Sequence, residues 1–297
     1  MNLEGGIGNQ LFQYSAGRYL AKRMNMTLIL NSFGISSQRH GGFSIQQIVE
    51  NAKVEIIYSK RIWKASINLE RIQKPFKLMN LEQFWFSVSR NYQPRKLGYD
   101  PYIDKIDYPC VIKGNFQTFK YAESVGIDTE LPIDLCSDLT PWAKRLIKEI
   151  SEKSAISMHL RFGDYSDHKN DFGNLKMSYY ARALDALISK TSTENVHIFS
   201  NDINIAGVEA SKLAKKFKAV KFHVVSPPPN SHPKESLLAM SKSAGLITAN
   251  SSFSWWSAFL NPNHQNVIVP SQWFRSYENS HYFYLDEWNK QKSEWIL

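Results

Sequence analysis

Beyond residue 140 the chain alternates short apolar runs with stretches of helical periodicity. Ala155–Leu160, Asn195–Ser200, Val220–Val225, Gly245–Ala249 and Asn266–Val269 are apolar runs of strand length. Between them Tyr179–Lys190, Ile205–Phe217, Glu235–Ser243 and Phe253–Leu260 repeat their apolar positions at helical spacing. A further helix opens the series. Thr140 reads as its N-cap, Pro141 as its first helical residue, and Trp142, Leu146, Ile147 and Ile150 as its apolar stripe. Strand and helix alternate with no hairpin signal, which predicts an α/β fold with a doubly wound parallel sheet. Runs apolar along their whole length suit strands covered by helices on both faces.

The first half is less regular. Gly5-Gly6-Ile7-Gly8-Asn9-Gln10 leads into a helical pattern at Leu11, Phe12, Ser15, Ala16, Tyr19 and Leu20. Thr27–Leu30 and Cys110–Phe116 read as strands, and residues 60–108 as helical or irregular. The acidic, proline-containing stretch Asp128–Asp138 reads as a linker. The expected division is therefore 1–139 and 140–297. The last 25 residues carry Trp273, Phe274, Tyr277, Tyr282, Phe283, Tyr284, Trp288 and Trp295, and are expected to pack back toward the first domain.

Composition narrows the class. With 43% hydrophobic and 21% charged residues in 297, the chain has the balance of a globular protein. No apolar run approaches the roughly 18 residues that cross a bilayer, and the start lacks the pattern of a secretory leader. Cys110 and Cys136 are expected to be free thiols in a reducing, cytoplasmic compartment. A net charge of +9 directs attention to phosphorylated partners, nucleic acid or anionic lipid. Lys212, Lys215, Lys216, Lys218 and Lys221 read as the solvated face of a helix leading into a strand. Lys60 to Lys77, interleaved with aromatics, reads either as a plain surface helix or as a peripheral membrane contact at the inner face of the cell membrane.

Open parallel sheets bind ligands beyond the carboxyl ends of their strands, where the strand order reverses. That rule selects Arg161 after the first predicted strand of the second half, Asp202 after the next, and Ser251-Ser252 at the start of a helix. A guanidinium can grip a pyrophosphate, and a helix start favours phosphate. A carboxylate accepts from a guanine edge or from ribose hydroxyls. Each has a plainer reading, as a surface ion pair for Arg161 and as helix caps for Asp202 and the serines. The Gly5–Asn9 turn, Gly8 included, is either a tight turn into a helix or a second phosphate contact across a cleft. No Asp-x-Asp pair and no zinc spacing occur, so no metal is implied and a leaving diphosphate must be stabilised by protein cations.

Three segments carry a resemblance: Gly5-Gly6-Ile7-Gly8-Asn9-Gln10-Leu11-Phe12-Gln13-Tyr14, His159-Leu160-Arg161-Phe162-Gly163-Asp164-Tyr165, and Asn250-Ser251-Ser252-Phe253-Ser254-Trp255-Trp256. With Gly114–Gln117, Phe199–Asp202 and Glu235–Ser241 they resemble, in order, the hallmark segments of the bacterial α-1,2-fucosyltransferases, glycosyltransferase family 11. The resemblance implies a GT-B architecture, two Rossmann-like domains facing across a cleft. It also implies GDP-fucose as donor, inversion at the anomeric carbon and no metal. By the same resemblance His159 and Asp202 contact the guanosine. Arg161 and either Ser251 or Ser252 hold the diphosphate, Asn9 reaches it from the first domain, and Gly8 and Phe253 are further donor-binding residues. Two departures stand out. The family's His-x-Arg-Arg-Gly-Asp has Phe162 in place of its second arginine, and the strand before the Gly-Gly turn is reduced to Met1–Glu4.

An inverting transfer needs a base at the acceptor hydroxyl. Asp164, Glu4 and a donor phosphate oxygen are the candidates, with Asp164 preferred; its structural alternative is to order the loop after Arg161. The acceptor is expected to be a glycan, with the 2-hydroxyl of galactose first. The expected setting is surface-polysaccharide or O-antigen synthesis, and an acceptor attached to a lipid diphosphate agrees with the basic charge. Phe162 motivates the alternative of another GDP-sugar donor. A glycan-binding or nucleic-acid-binding protein is the non-enzymatic reading, and nucleic acid is not the expected partner.

Overall fold

The computed structural model describes all residues except 36–44, 46–47, 49–53, 67–89, 95–96, 127–135, 137, 163–172, 230, 277, 280–281 and 297. The chain divides into two compact units: Met1–Asp134 with Ser280–Phe283, and Leu135–Asn279 with Tyr284–Leu297.

The first unit begins with α1, Ile7–Arg23, which follows the Gly-Gly turn. Its strands are β1 (Leu28–Asn31), β2 (Val54–Ile57), β3 (Asn91–Tyr92) and β4 (Val111–Ile112), and a short helix α2 spans Phe119–Ser124. β1 pairs with β2 and β3 with β4, both in parallel. Met1–Leu3 joins these pairs. The Asn2 amide donates to the Ile112 carbonyl at 2.9 Å and the Leu3 amide to Asn31 at 3.0 Å. The Asn31 amide returns a bond to Met1 at 2.8 Å. Met1, Asn2 and Leu3 are buried, so the short first strand expected from sequence lies in the middle of the ladder.

The longer strand expected at Cys110–Phe116 is not formed. Only Val111 and Ile112 pair, because Gly114 takes φ 148° and Phe116 φ 52°, both outside the range a strand uses. A side chain at Gly114 would meet Pro94 at 2.7 Å, so the chain turns where no Cβ fits. The stretch 60–108, read as helical or irregular, contains β3 as well as a helical segment at 60–66.

The second unit is a single six-stranded sheet with every pairing parallel. Its strands are β5 (Ile156–Leu160), β6 (Asn195–Ser200), β7 (Lys221–Val224), β8 (Gly245–Ile247), β9 (Val267–Pro270) and β10 (Asn289–Gln291). Their spatial order is β10-β9-β8-β5-β6-β7. The chain thus starts in the middle at β5, winds outward to β7, returns to the other side of β5 and winds outward to β10. The helices between are α3 (Pro141–Glu152), α4 (Met177–Thr191), α5 (Ile203–Lys216), α6 (Pro233–Ser241) and α7 (Ser252–Phe259).

Local chemistry accounts for the helix ends. Thr140 caps α3, its hydroxyl accepting from the Ala143 amide at 3.2 Å, with Pro141 in the first turn. α4 stops at Ser192, held at φ 52°. The core joins Ile156, Met158 and Leu160 of β5 to Val196 and Ile198 of β6, and to Tyr179, Leu184 and Leu187 of α4. A second, aromatic cluster centres on Trp255, whose ring lies 5.3 Å from Phe259 and 5.5 Å from Trp288. Trp288 and Tyr284, from the aromatic tail, therefore pack within this unit.

Two strand expectations need correction. The apolar run Val220–Val225 predicts a strand covered on both faces, but β7 ends the sheet and leaves Lys221 exposed and Phe222–Val224 half-buried. β10 was not foreseen; Asn289-Lys290-Gln291 is polar, as an edge strand can be. Lys212, Lys215 and Lys216 are exposed on α5. Cys110 and Cys136 are not joined in a disulfide. Among the described residues no helix is long and apolar enough to cross a membrane.

Candidate active site

β5 and β8 are neighbours from which the chain winds away in opposite directions, so their carboxyl ends form the switch point of the sheet. Most of the residues selected from sequence meet there or one strand away. Arg161 leaves the end of β5, Asp202 follows β6, and Asn250-Ser251-Ser252 follows β8.

His159 is the penultimate residue of β5 and is buried. Its Nδ1 lies 2.9 Å from Ser254 Oγ, on the first turns of α7, and its ring stands 5.7 Å from that of Phe253. Burial, and after it the charge of Arg161, pushes the imidazole down from 6.5 to about 3. At neutral pH it is an uncharged hydrogen-bonding group. Ser254 Oγ is also 3.3 Å from the Ser251 carbonyl, which ties the histidine to the turn that starts the helix.

Ser251 is the N-cap residue of α7, with extended backbone and a side chain that makes no capping bond. The first amides of α7 are thus not closed off by their own cap hydroxyl, and an anion can take that place. Asn250 fixes the loop below. Its buried amide donates to the Gly173 carbonyl at 3.1 Å and to Trp273 at 3.4 Å.

Asp202 performs the plainer of its two assigned roles. It caps α5, one carboxylate oxygen accepting from the Ile205 amide at 2.9 Å. Its own amide donates to Ser200 Oγ at 3.1 Å. The second carboxylate oxygen leaves Asp202 able to serve a ligand as well.

Asn201 was not singled out from sequence. Its Oδ1 accepts from the Phe162 amide at 2.9 Å and its Nδ2 donates to the Phe162 carbonyl at 2.6 Å, locking the segment after Arg161 to the segment before Asp202. Phe162 itself packs against the core of the second unit. Asp164 falls in 163–172, outside the described residues.

Gly8 and Asn9 belong to the first unit, in the first turn of α1. Gln117 Nε2 donates to Asn9 Oδ1 at 3.2 Å. Gly5 holds φ 77°, and a Cβ there would come within 2.7 Å of Asn9 Nδ2, so the glycine lets Asn9 fold back over the turn. Gln13 completes the turn by bonding both backbone groups of Glu4. Among the described residues no three His, Cys, Asp or Glu side chains group as a metal site requires.

The model of one sequence family, described as glycosyl transferase family 11, matches residues 1–292. The chain belongs to that family. It is a glycosyltransferase, as the resemblance implied. An O-antigen biosynthesis glycosyltransferase of Escherichia coli, WbnK, is 26% identical over 96% of this chain and 98% of its own. An alpha-1,2-colitosyltransferase of the same organism is 24% identical over 93% of this chain and 92% of its own. Among solved structures, POFUT1 in complex with GDP aligns at 13% identity and TM-score 0.43, over 86% of this chain and 91% of that one. A glycosyl transferase of family 9 from Veillonella parvula aligns at 9% identity and TM-score 0.40, over 90% and 79%.

Proposed function

We propose that this family 11 enzyme transfers L-fucose from GDP-fucose to the 2-hydroxyl of a galactose in a surface glycan, with inversion and without a metal. The observation that carries the reading is the meeting of Arg161, neutral His159, Asp202 and the uncapped start of α7 around the switch point of a parallel sheet. A guanidinium, a helix start and a carboxylate are the groups a guanosine diphosphate needs: cation and amides for the phosphates, acceptor for the base or ribose. Gly8 and Asn9 of the first unit are included among the proposed donor-binding residues, as the family resemblance implied.

In this mechanism the acceptor oxygen forms its bond to the anomeric carbon on the face opposite the diphosphate. The bond from that carbon to the β-phosphate oxygen breaks, and the hydroxyl proton passes to a base, for which Asp164 is proposed. Arg161 and the α7 amides balance the charge that gathers on departing GDP. The relative named for O-antigen biosynthesis supports a polysaccharide acceptor, and a lipid carrier at the inner membrane face agrees with the net charge of +9.

A second reading keeps the linkage and changes the deoxysugar. The relative named as an alpha-1,2-colitosyltransferase favours it, as does Phe162 in the place of a second arginine. The test is the thermal unfolding midpoint with and without excess GDP in EDTA, for wild type and Arg161→Ala. A rise of several degrees for wild type that is lost in the variant supports the diphosphate site; no rise for wild type overturns it. Product mass from GDP-fucose against other GDP-deoxysugars then separates the two donors.

A further inference from the structure

β5 and β6 pair as far as Leu160 and Ser200. Beyond that rung the backbones part. One turns into the cap of α5 at Asp202, and the other continues through Arg161 and Phe162. Asn201 spans the gap by accepting from the Phe162 amide at 2.9 Å and donating to its carbonyl at 2.6 Å. A side-chain amide carries the same donor and acceptor as a peptide group. The pair therefore adds one rung to the ladder after the backbone itself has left it. Arg161 is the residue between the last backbone rung and this side-chain rung. The support is itself fixed, since the Asp202 amide is bound to Ser200 Oγ at 3.1 Å and its carboxylate to α5.

We propose that Asn201 is a positioning residue for donor binding, setting where Arg161 presents its guanidinium. The inference rests on the reading of Arg161 as the cation of the diphosphate site. A purely stabilising role fits poorly. Asn201 is exposed, and surface hydrogen bonds exchange readily with water and add little to stability. Phe162 is also anchored by its ring against the core, so removing the amide loosens the backbone around Arg161 without opening the fold.

The experiment is calorimetric binding of GDP in EDTA by wild type, Asn201→Ala, Arg161→Ala and the double variant, with the unfolding midpoint of each. Asn201→Ala should weaken GDP about tenfold beside an intact Arg161 and less than about twofold in its absence, because coupled residues are not additive. Midpoints should stay within about 2 °C of the parent. Asn201→Ser, whose hydroxyl is too short to reach both Phe162 groups, replaces the alanine variant should that one melt early. Equal losses in both backgrounds, or no loss in either, overturn the inference while leaving the nucleotide site standing. Wild type that does not bind GDP overturns the site, and the inference with it.

Discussion

His159 and His197 are buried imidazoles, and burial decides their charge. Burial holds His159 near 3 and His197 near 4, both below the 6.5 of an exposed histidine. For a group depressed in this way the unfolded chain binds the extra proton. The stability it gives is complete above about pH 6.5 and drains away as pH falls toward the folded value. Each histidine should contribute a slope of up to roughly 1.4 kcal/mol per pH unit between about pH 6 and 4. Urea midpoints of wild type and His197→Gln at pH 7, 6 and 5 check this, the variant losing part of the slope; parallel curves would show that His197 does not titrate there. Ser254→Ala should cost about 1–3 kcal/mol by leaving the buried Nδ1 of His159 without its partner, read from the same denaturation at pH 7. At this scale sequence reached only part of the site. Arg161, Asp202 and the serines follow from their places after strands, whereas His159 sits inside an apolar run and came from family resemblance alone. Asn201 and Ser254 stayed hidden because each acts on a residue far along the chain, 39 and 95 positions away. Such pairs exist only once the sheet has formed.

Between elements, Glu235 links α6 to α3. One carboxylate oxygen accepts from the Thr140 amide at 2.7 Å and the other from its hydroxyl at 3.1 Å, while that hydroxyl caps α3. The carboxylate is buried, so the bonds are sheltered from water. Glu235→Ala should destabilise the protein by about 2–3 kcal/mol, and Glu235→Gln by less because one acceptor remains. Denaturant midpoints for the pair of variants measure this; equal losses would assign the effect to packing. The helices of the second unit were legible, Thr140-Pro141 down to the cap bond, and so were its inner strands, since a strand buried on both faces writes an apolar run. β10 was missed for the opposite reason, since it is a polar edge strand that faces water, and the apolar run at β7 located the strand but not its place at the open edge of the sheet. In the first unit Thr27–Leu30 marked β1 to within one residue, whereas β2 and β3 are too short for a pattern, and the backbone turns at Gly114 and Phe116 end β4 after two residues.

For the molecule as a whole, the charge of +9 admits two readings with different salt laws. If the lysines of α5 and the rest of the basic surface exist to hold a polyanion, binding releases many counterions. Affinity for a nucleic acid should then fall about 10³-fold or more between 50 and 200 mM salt. A nucleoside diphosphate presents few charges, and in the proposed site it would meet Arg161, a helix start and directional hydrogen bonds at the switch point of the second unit. Those interactions are partly shielded from salt by the protein around them. GDP binding to wild type should therefore weaken by less than about tenfold over the same range, and a single-stranded oligonucleotide should neither bind comparably at 200 mM nor displace GDP. Calorimetric titrations at the two salt concentrations measure both. A steep slope for GDP, or an oligonucleotide that competes, would move the function to the basic surface and away from the sheet edge. A shallow slope for GDP alone would leave the surface charge a matter of solubility and of attraction to anionic membranes, and the catalytic chemistry at β5 and β8.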